Sequence, residues 1–220
     1  MVARELISDS ILPVNTSDSI QKVLDRMYEF RVNHLPVVED GQFLGLVSDE
    51  DFIELPDYSL SIGNASVPFD NLGINQNLHI YEVIRLFYER RLSLVPVIDE
   101  NRYYIGAISV NTMVEYMAGI TAVKEPGGII VLEISNRNNS LAHIAQIVES
   151  NNAQILSSYI NSFADSTKLE VTIKVNRNDI AGIVAAFIRY DYKVIDTFND
   201  IQTDNDANGR YDQLMNYLNI

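Results

Sequence analysis

The first half of this sequence repeats itself at an interval of sixty residues. The segment His34-Leu-Pro-Val-Val-Glu-Asp returns as Leu94-Val-Pro-Val-Ile-Asp-Glu. Further along, after one inserted residue, Phe43-Leu-Gly-Leu-Val-Ser aligns with Tyr104-Ile-Gly-Ala-Ile-Ser. Two copies of one sequence pattern predict two units of the same fold in this half of the chain.

Upstream of each match, apolar residues follow the spacing of an amphipathic helix. They recur at positions i, i+3, i+4 and i+7, an interval that places them on one helix face. These residues are Ile20, Val23, Leu24 and Met27 in the first copy and Ile80, Val83, Ile84 and Phe87 in the second. Ser19 is the predicted N-cap of the first helix, and His79 holds the matching place. Each unit is predicted to fold as strand, helix, strand, strand, helix.

The two units are predicted to pack together as one domain over residues 1–120. Their boundaries are about 1–58 and 59–120. A unit of about 55 residues buries too little apolar surface to be stable alone. We therefore expect a shared hydrophobic core between the copies.

The second half of the chain has a different pattern. A Pro-Gly-Gly cluster predicts a linker at 121–127, after which elements alternate in the order βαββαβ over residues 128–199. The predicted strands are 129–134, 155–160, 168–175 and 192–198, and the helical stripes are 141–148 and 180–188. This order closes a four-stranded antiparallel sheet with both helices on one face, a ferredoxin-like arrangement. The fold class is therefore α+β.

Residues 200–220 are predicted to form a polar linker and a short terminal helix. The helical stripe consists of Tyr211, Leu214, Met215 and Leu218. A helix of about ten residues is marginal in water, so this stripe is expected to dock on another surface of the assembly.

The charge balance weighs against a nucleic-acid partner. Acidic residues number 30 and basic residues 16, which gives a formal charge of −14, whereas affinity for nucleic acids comes from cations that neutralise phosphates. The chain has no cysteine, so disulfides, thiolate metal sites and thiol nucleophiles are excluded. No stretch has the length of a signal peptide or of a membrane span of about 20 residues. A cytoplasmic protein without a membrane partner is predicted.

Residues 1–118 resemble a tandem pair of CBS domains, the module named after cystathionine beta-synthase. The resemblance rests on two apolar-Pro-Val runs, each followed by Gly-apolar-apolar-Ser. Residues 128–199 resemble an ACT domain. The order CBS, CBS, ACT at this length is similar to the acetoin-utilisation accessory protein family of bacteria.

The resemblance to CBS pairs implies an adenosine-containing ligand, typically AMP, ADP, ATP or S-adenosylmethionine, in clefts between the units. In the family motif Gly-apolar-apolar-Ser/Thr-x-x-Asp, the hydroxyl meets phosphate and the carboxylate holds the ribose hydroxyls. The first unit carries the complete motif, Gly45-Leu-Val-Ser-Asp-Glu-Asp51. The second reads Gly106-Ala-Ile-Ser-Val-Asn-Thr112, with threonine in place of the carboxylate.

Two nucleotide sites of unequal strength follow from this resemblance. The predicted residues of the first site are Val32, Leu35, Pro36, Ser48 and Asp51. Those of the weaker second site are Leu92, Pro96, Ser109 and Thr112. A lost hydrogen bond to a charged group weakens binding about ten- to a hundredfold, which is why the second site is the weaker.

The motif of the first unit also has a purely structural interpretation. Ser48 and Asp51 stand where a strand meets a helix, and their spacing is that of a capping box. A phosphate would approach the helix N-terminus after Ser48, where Asp49 and Glu50 oppose it. The nearest cations in sequence are Arg31, His34, Arg90 and Arg91.

In ACT domains the turn after the first strand often reads Asp-Arg-Pro-Gly-x-Leu. Here it reads Asn136-Arg-Asn-Asn-Ser-Leu141, and the asparagine at position 139 keeps a side chain where an amino-acid ligand would approach. Amino-acid binding is therefore in doubt. The other use of such a domain is pairing with its copy in a second subunit.

No catalytic residue, metal site or cofactor is predicted. The stretch from Asp204 to Asp212 copies part of a calcium loop, but Met215 stands where the bidentate glutamate is required. His34, His79 and His143 are too scattered for a metal site.

The leading interpretation is a non-enzymatic sensor whose CBS pair binds an adenosine ligand and changes its relation to the ACT-like domain or to a partner. A homodimer is expected, because exposed sheet edges and the apolar stripe of the terminal helix need a partner surface to pack against. Two alternatives stay open: a ligand-free structural or dimerisation adaptor, and a hydrolase that uses Asp51 as a base. The regulated partner is not predicted.

Overall fold

The structure is a computed structural model that describes residues 1–8, 11–135, 140–163 and 167–199. The chain divides into two units, Met1–Met117 and a second that begins at Ala118. Among the described residues, no helix has the length and apolar character needed to cross a membrane.

The first copy of the repeat consists of one helix and one hairpin. After a 3₁₀ turn at Ala3–Leu6, the elements are α1 (Ile20–Phe30), β1 (His34–Glu39) and β2 (Gln42–Ser48). The strands are antiparallel and joined by Asp40-Gly41, two residues with positive φ angles, as a tight primed hairpin turn requires.

The second copy has more regular structure than the first. Its elements are β3 (Ile74–Asn75), α2 (Ile80–Arg90), β4 (Leu94–Ile98), β5 (Tyr104–Ser109) and α3 (Val110–Ile120). Strand β3 pairs with β4 in parallel, and β4 pairs with β5 in antiparallel fashion. In the first copy, the counterpart of the short strand β3 is a single parallel bridge between Val14 and Val37.

Helices α1 and α2 begin and end at equivalent residues. The Ser19 Oγ accepts a hydrogen bond from the backbone N–H of Lys22 at 3.3 Å, which confirms the predicted N-cap. His79 caps α2 in the same place. The C-cap residues after these helices are Arg31 and Arg91, whose φ angles of 55° and 51° turn the chain toward β1 and β4.

The predicted helix that closes each copy is present only in the second. After Ser48 the first copy forms a four-residue 3₁₀ turn, Asp49–Phe52. Pro56 explains the difference, because proline disfavours helical conformation at the residue before it and has no N–H to donate. The remaining segment is too short to propagate a helix.

The leading segment of each copy pairs with a strand of the other copy. Ser8, near the start of the first copy, bridges to Ala107 in β5, and Asp70, near the start of the second copy, bridges to Leu46 in β2. One hydrophobic core spans both copies. Its fully buried members include Ile20, Leu35, Ile80, Leu94 and Ile108.

The second unit has the predicted βαββαβ order and the ferredoxin-like fold. Its elements are β6 (Ile129–Ser135), α4 (Leu141–Ser150), β7 (Ile155–Ser162), β8 (Lys168–Val175), α5 (Ala181–Arg189) and β9 (Lys193–Phe198). The strand order is β7-β8-β6-β9, with every pair antiparallel.

Both helices of this unit cover one face of the sheet. The alternate residues Ile130 and Leu132 of β6 and Val171 and Ile173 of β8 share a buried cluster with α4 and α5. The predicted turn at 136–139, the calcium-like stretch and the terminal helix lie outside the described residues.

Candidate ligand-binding clefts

The complete motif opens onto a cleft of about 310 Å³, called here the first cleft. Its polar and charged lining comes from His34, Ser48, Asp51, Asp70 and Arg90. Because Arg90 and the segment before Asp70 belong to the second copy, this cleft is formed by both copies.

The apolar lining of the first cleft also comes from both copies. Val47 of β2 belongs to the first copy, whereas Phe69 and Leu92 come from the chain that leads into the second copy and from the residues after α2. Apolar walls with a few polar groups are the usual composition of a small-molecule site.

Ser48 and Asp51 are joined by two hydrogen bonds at the end of β2. The backbone N–H of Ser48 donates to Asp51 Oδ2 at 2.7 Å, and the Ser48 hydroxyl donates to the same oxygen at 2.9 Å. This is the geometry of a cap, and it also fixes the carboxylate at the wall of the first cleft. The structural and the ligand-binding interpretations of the motif are therefore compatible.

Gly45 allows the chain from the second copy to cross β2 closely. A Cβ atom at this position would lie 2.6 Å from Phe69 Cβ and 2.9 Å from the backbone oxygen of Asp70. The backbone N–H of Leu46 donates to that same oxygen at 2.8 Å. The glycine of the motif thus positions two residues of the cleft wall that sequence reasoning missed.

His34 is anchored to Ser93 of the other copy. Its Nδ1 lies 3.0 Å from Ser93 Oγ, and the same oxygen accepts hydrogen bonds from the backbone N–H groups of Asn33 and His34 at 2.9 and 3.0 Å. The side chain is half-buried at the wall of the first cleft.

Burial lowers the pKa of His34 below its ordinary value of 6.5. Four nearby carboxylates oppose this effect without cancelling it, in decreasing order Asp49, Asp51, Glu50 and Asp70. Burial therefore favours the neutral form of His34.

This lowered pKa predicts a pH dependence of stability. Below pH 6.5, His34 binds a proton more readily in the unfolded chain than in the folded chain. As the pH is lowered from about 6.5 to the pKa of folded His34, the free energy of unfolding should therefore decrease. Urea unfolding at pH 7.5, 6.5 and 5.5 should show a smaller fall for His34→Gln than for the wild type. Equal falls in both proteins would contradict the assignment.

The incomplete motif opens onto a second cleft, of about 360 Å³. Ser109 Oγ lies 2.9 Å from Thr112 Oγ1 and accepts a hydrogen bond from the backbone N–H of Thr112 at 3.1 Å. Arg31, Val32 and Ser93 also line this cleft. Here the motif leads into the eleven-residue helix α3, which has no acidic residue in its first turn.

Two predicted apolar residues line the cleft that carries the motif of the other copy. Leu92 lines the first cleft beside Ser48 and Asp51, whereas Val32 lines the second cleft. The sequence prediction grouped each residue with the motif of its own copy. The structure places them across the copies because each cleft lies between the strand end of one copy and the residues after the helix of the other copy.

Three other predicted residues are buried within the strands. Leu35 and Pro36 lie in β1, and Pro96 lies in β4. None of the three lines either cleft, and Leu35 is part of the shared core. Within the described ranges, no group of three or more acidic or histidine side chains could hold a metal ion.

Curated relatives match a little over half of the chain. An uncharacterized protein from Methanocaldococcus jannaschii is 25% identical over 126 residues, which are 57% of this chain and 48% of that protein. Inosine-5'-monophosphate dehydrogenase from the same organism is 18% identical over 131 residues, 59% of this chain and 26% of that protein. The chain therefore spans about half the length of the first relative and about a quarter of the second.

Solved structures include a CBS domain pair/ACT domain protein from Thermotoga maritima. It is 26% identical to this chain, with a TM-score of 0.48 and coverage of 53% of this chain and 96% of that one. The family model of the CBS domain matches residues 3–57 and 70–119, which are the two copies of the repeat. The unit Met1–Met117 of this chain is a CBS domain pair.

Proposed function

We propose that this protein is a non-enzymatic regulatory module whose first cleft binds an adenosine-containing ligand. The observation that carries the proposal is the Asp51 carboxylate, which Ser48 holds at the wall of a cleft that both copies line. The membership of this unit in the CBS family supports the same class of ligand.

The chemistry of the first cleft suits a nucleoside. The carboxylate of Asp51 can accept hydrogen bonds from the two ribose hydroxyls, and charge-assisted bonds of this kind are the stronger ones. Phe69 and Leu92 offer apolar surface for the base. The volume of about 310 Å³ is at the lower end of the range for small-molecule sites.

A ligand in the first cleft would link the two copies. It would contact Ser48 and Asp51 from one copy and Leu92 from the other. A ligand shifts a conformational equilibrium only through contacts that differ between the states, and contacts to both copies meet this requirement. We assign the regulatory output of the module to this linkage.

The proposal extends to the whole chain through its second unit. We assign the ferredoxin-like unit to the ACT type, as the element that passes the signal to its own copy or to a partner. The proposed setting is a cytoplasmic homodimer related to the acetoin-utilisation accessory proteins. Light scattering should give a mass near twice the 24.8 kDa of one chain, and a mass near that of one chain would contradict the dimer.

Isothermal titration of the full chain tests the central proposal. The ligands are AMP, ATP, S-adenosylmethionine and 5′-methylthioadenosine, and at least one should give a saturable isotherm. Heat of dilution alone with all four compounds would favour a ligand-free adaptor. Continued heat release after each injection would indicate turnover and would favour the hydrolase.

A further inference from the structure

The first cleft has more carboxylates than cations around it. Asp51 and Asp70 lie on its wall, and Asp49 and Glu50 belong to the same 3₁₀ turn as Asp51. Among the described residues that line this cleft, Arg90 is the one permanent cation, and its side chain is exposed to solvent. The charge near this cleft is therefore negative.

His34 does not offset this negative charge at neutral pH. It is half-buried and anchored to Ser93, and burial lowers its pKa. Asp51 and Asp70 line the same cleft as His34, and the side chain of the neighbouring Asn33 donates to Asp49 Oδ2 at 2.7 Å.

The groups that would hold a phosphate are already engaged. The backbone N–H and the hydroxyl of Ser48 both donate to Asp51 Oδ2. A phosphate that took these two donors would have to displace a carboxylate from them. The turn that follows has only four residues, three of them acidic, and cannot offer the positive end of a long helix.

We infer that the first cleft selects adenosine compounds without net negative charge, such as neutral nucleosides and sulfonium nucleosides, over nucleoside phosphates. The inference rests on the proposed function and adds the charge class of its ligand. Repulsion between phosphate charges and several carboxylates adds up at short range, so AMP should bind more weakly than a neutral analogue, and ATP more weakly still.

Titration calorimetry on the full chain compares 5′-methylthioadenosine, AMP and ATP at low and high salt. At about 50 mM salt, 5′-methylthioadenosine should bind about tenfold more tightly than AMP. The difference should shrink at about 500 mM salt, because mobile ions screen the carboxylates.

A double variant, Asp49→Asn with Glu50→Gln, isolates the charge effect. Neither residue lines the first cleft, so affinity for 5′-methylthioadenosine should stay within about twofold, whereas affinity for AMP should rise about fivefold. The matched control is Asp99→Asn with Glu100→Gln in the turn between β4 and β5. The control removes the same two negative charges, but Asp99 and Glu100 follow β4, whereas Leu92 precedes it. The control should leave the affinities for 5′-methylthioadenosine and AMP unchanged.

Three results would count against these assignments in different ways. AMP or ATP binding as tightly as 5′-methylthioadenosine would overturn the inference and leave the proposed function intact. An unchanged AMP affinity in the Asp49 and Glu50 double variant would also overturn it. Absence of binding by every adenosine compound would overturn the proposed function itself.

Discussion

Gly45→Ala is expected to lower the free energy of unfolding by about 3 kcal/mol, because the added methyl group meets backbone atoms that cannot move independently. The new Cβ would lie 2.9 Å from the Asp70 backbone oxygen and 3.0 Å from the Phe69 carbonyl carbon. Relief requires a shift of the segment that forms one wall of the first cleft. Ligand affinity should therefore fall together with stability. Urea unfolding and calorimetry measure the two effects.

Gly106→Ala is the matched control for this change. The two glycines have nearly identical φ angles, 158° and 159°, so backbone strain is the same at both positions. At Gly106 the new methyl group meets Cγ2 of Ile7, and the next nearest atom is Ile7 Cβ at 3.6 Å. A side chain can rotate away, so the cost should be about 1 kcal/mol. Equal losses in the two variants would contradict the role given to the crossing segment.

Asp51→Ala should weaken binding of 5′-methylthioadenosine at least about tenfold while leaving the fold intact. The variant removes the carboxylate proposed to hold the ribose hydroxyls. It also removes the acceptor for Ser48, which should cost about 1 kcal/mol of stability. Calorimetry measures the affinity, and circular dichroism checks the fold.

Two further variants separate the ribose contact from the cap. Asp51→Asn keeps an oxygen that can accept from Ser48 but loses the charge, so it should restore stability more than affinity. Thr112→Ala changes the equivalent residue of the second cleft and should leave the tighter binding event within about twofold of wild type. A larger loss for Thr112→Ala than for Asp51→Ala would assign the ligand to the second cleft.

The periodicity of apolar residues predicted the helices and strands that have one buried face. The stripes beginning at Ile20 and Ile80 correspond to α1 and α2, and the alternation from Lys168 to Val175 matches β8 at both ends. These patterns are local, because a helix or strand with one buried face repeats its apolar residues at a fixed interval. The prediction of a helix after Ser48 was wrong, because Pro56 disfavours helical conformation at the residue before it and the segment that remains is too short to propagate a helix.

The cleft walls could be predicted only in part. Ser48 and Asp51 belong to a motif that is contiguous in sequence, so the sequence indicates them directly, whereas Phe69 and Asp70 reach the cleft by crossing β2 from a segment outside the motif. Gly45 indicates that another segment of the chain packs closely against β2, but it does not indicate which segment. The placement of Val32 and Leu92 depends on which copy faces which, and that is a property of tertiary packing.

The decisive measurement for the proposed site is a crystal structure of the full chain with 5′-methylthioadenosine. We expect the ligand in the first cleft, with both ribose hydroxyls within hydrogen-bond distance of the Asp51 carboxylate and the base against Phe69 and Leu92. A ligand bound in the second cleft with the first cleft empty, or a ligand whose ribose makes no contact with Asp51, would contradict the proposed site.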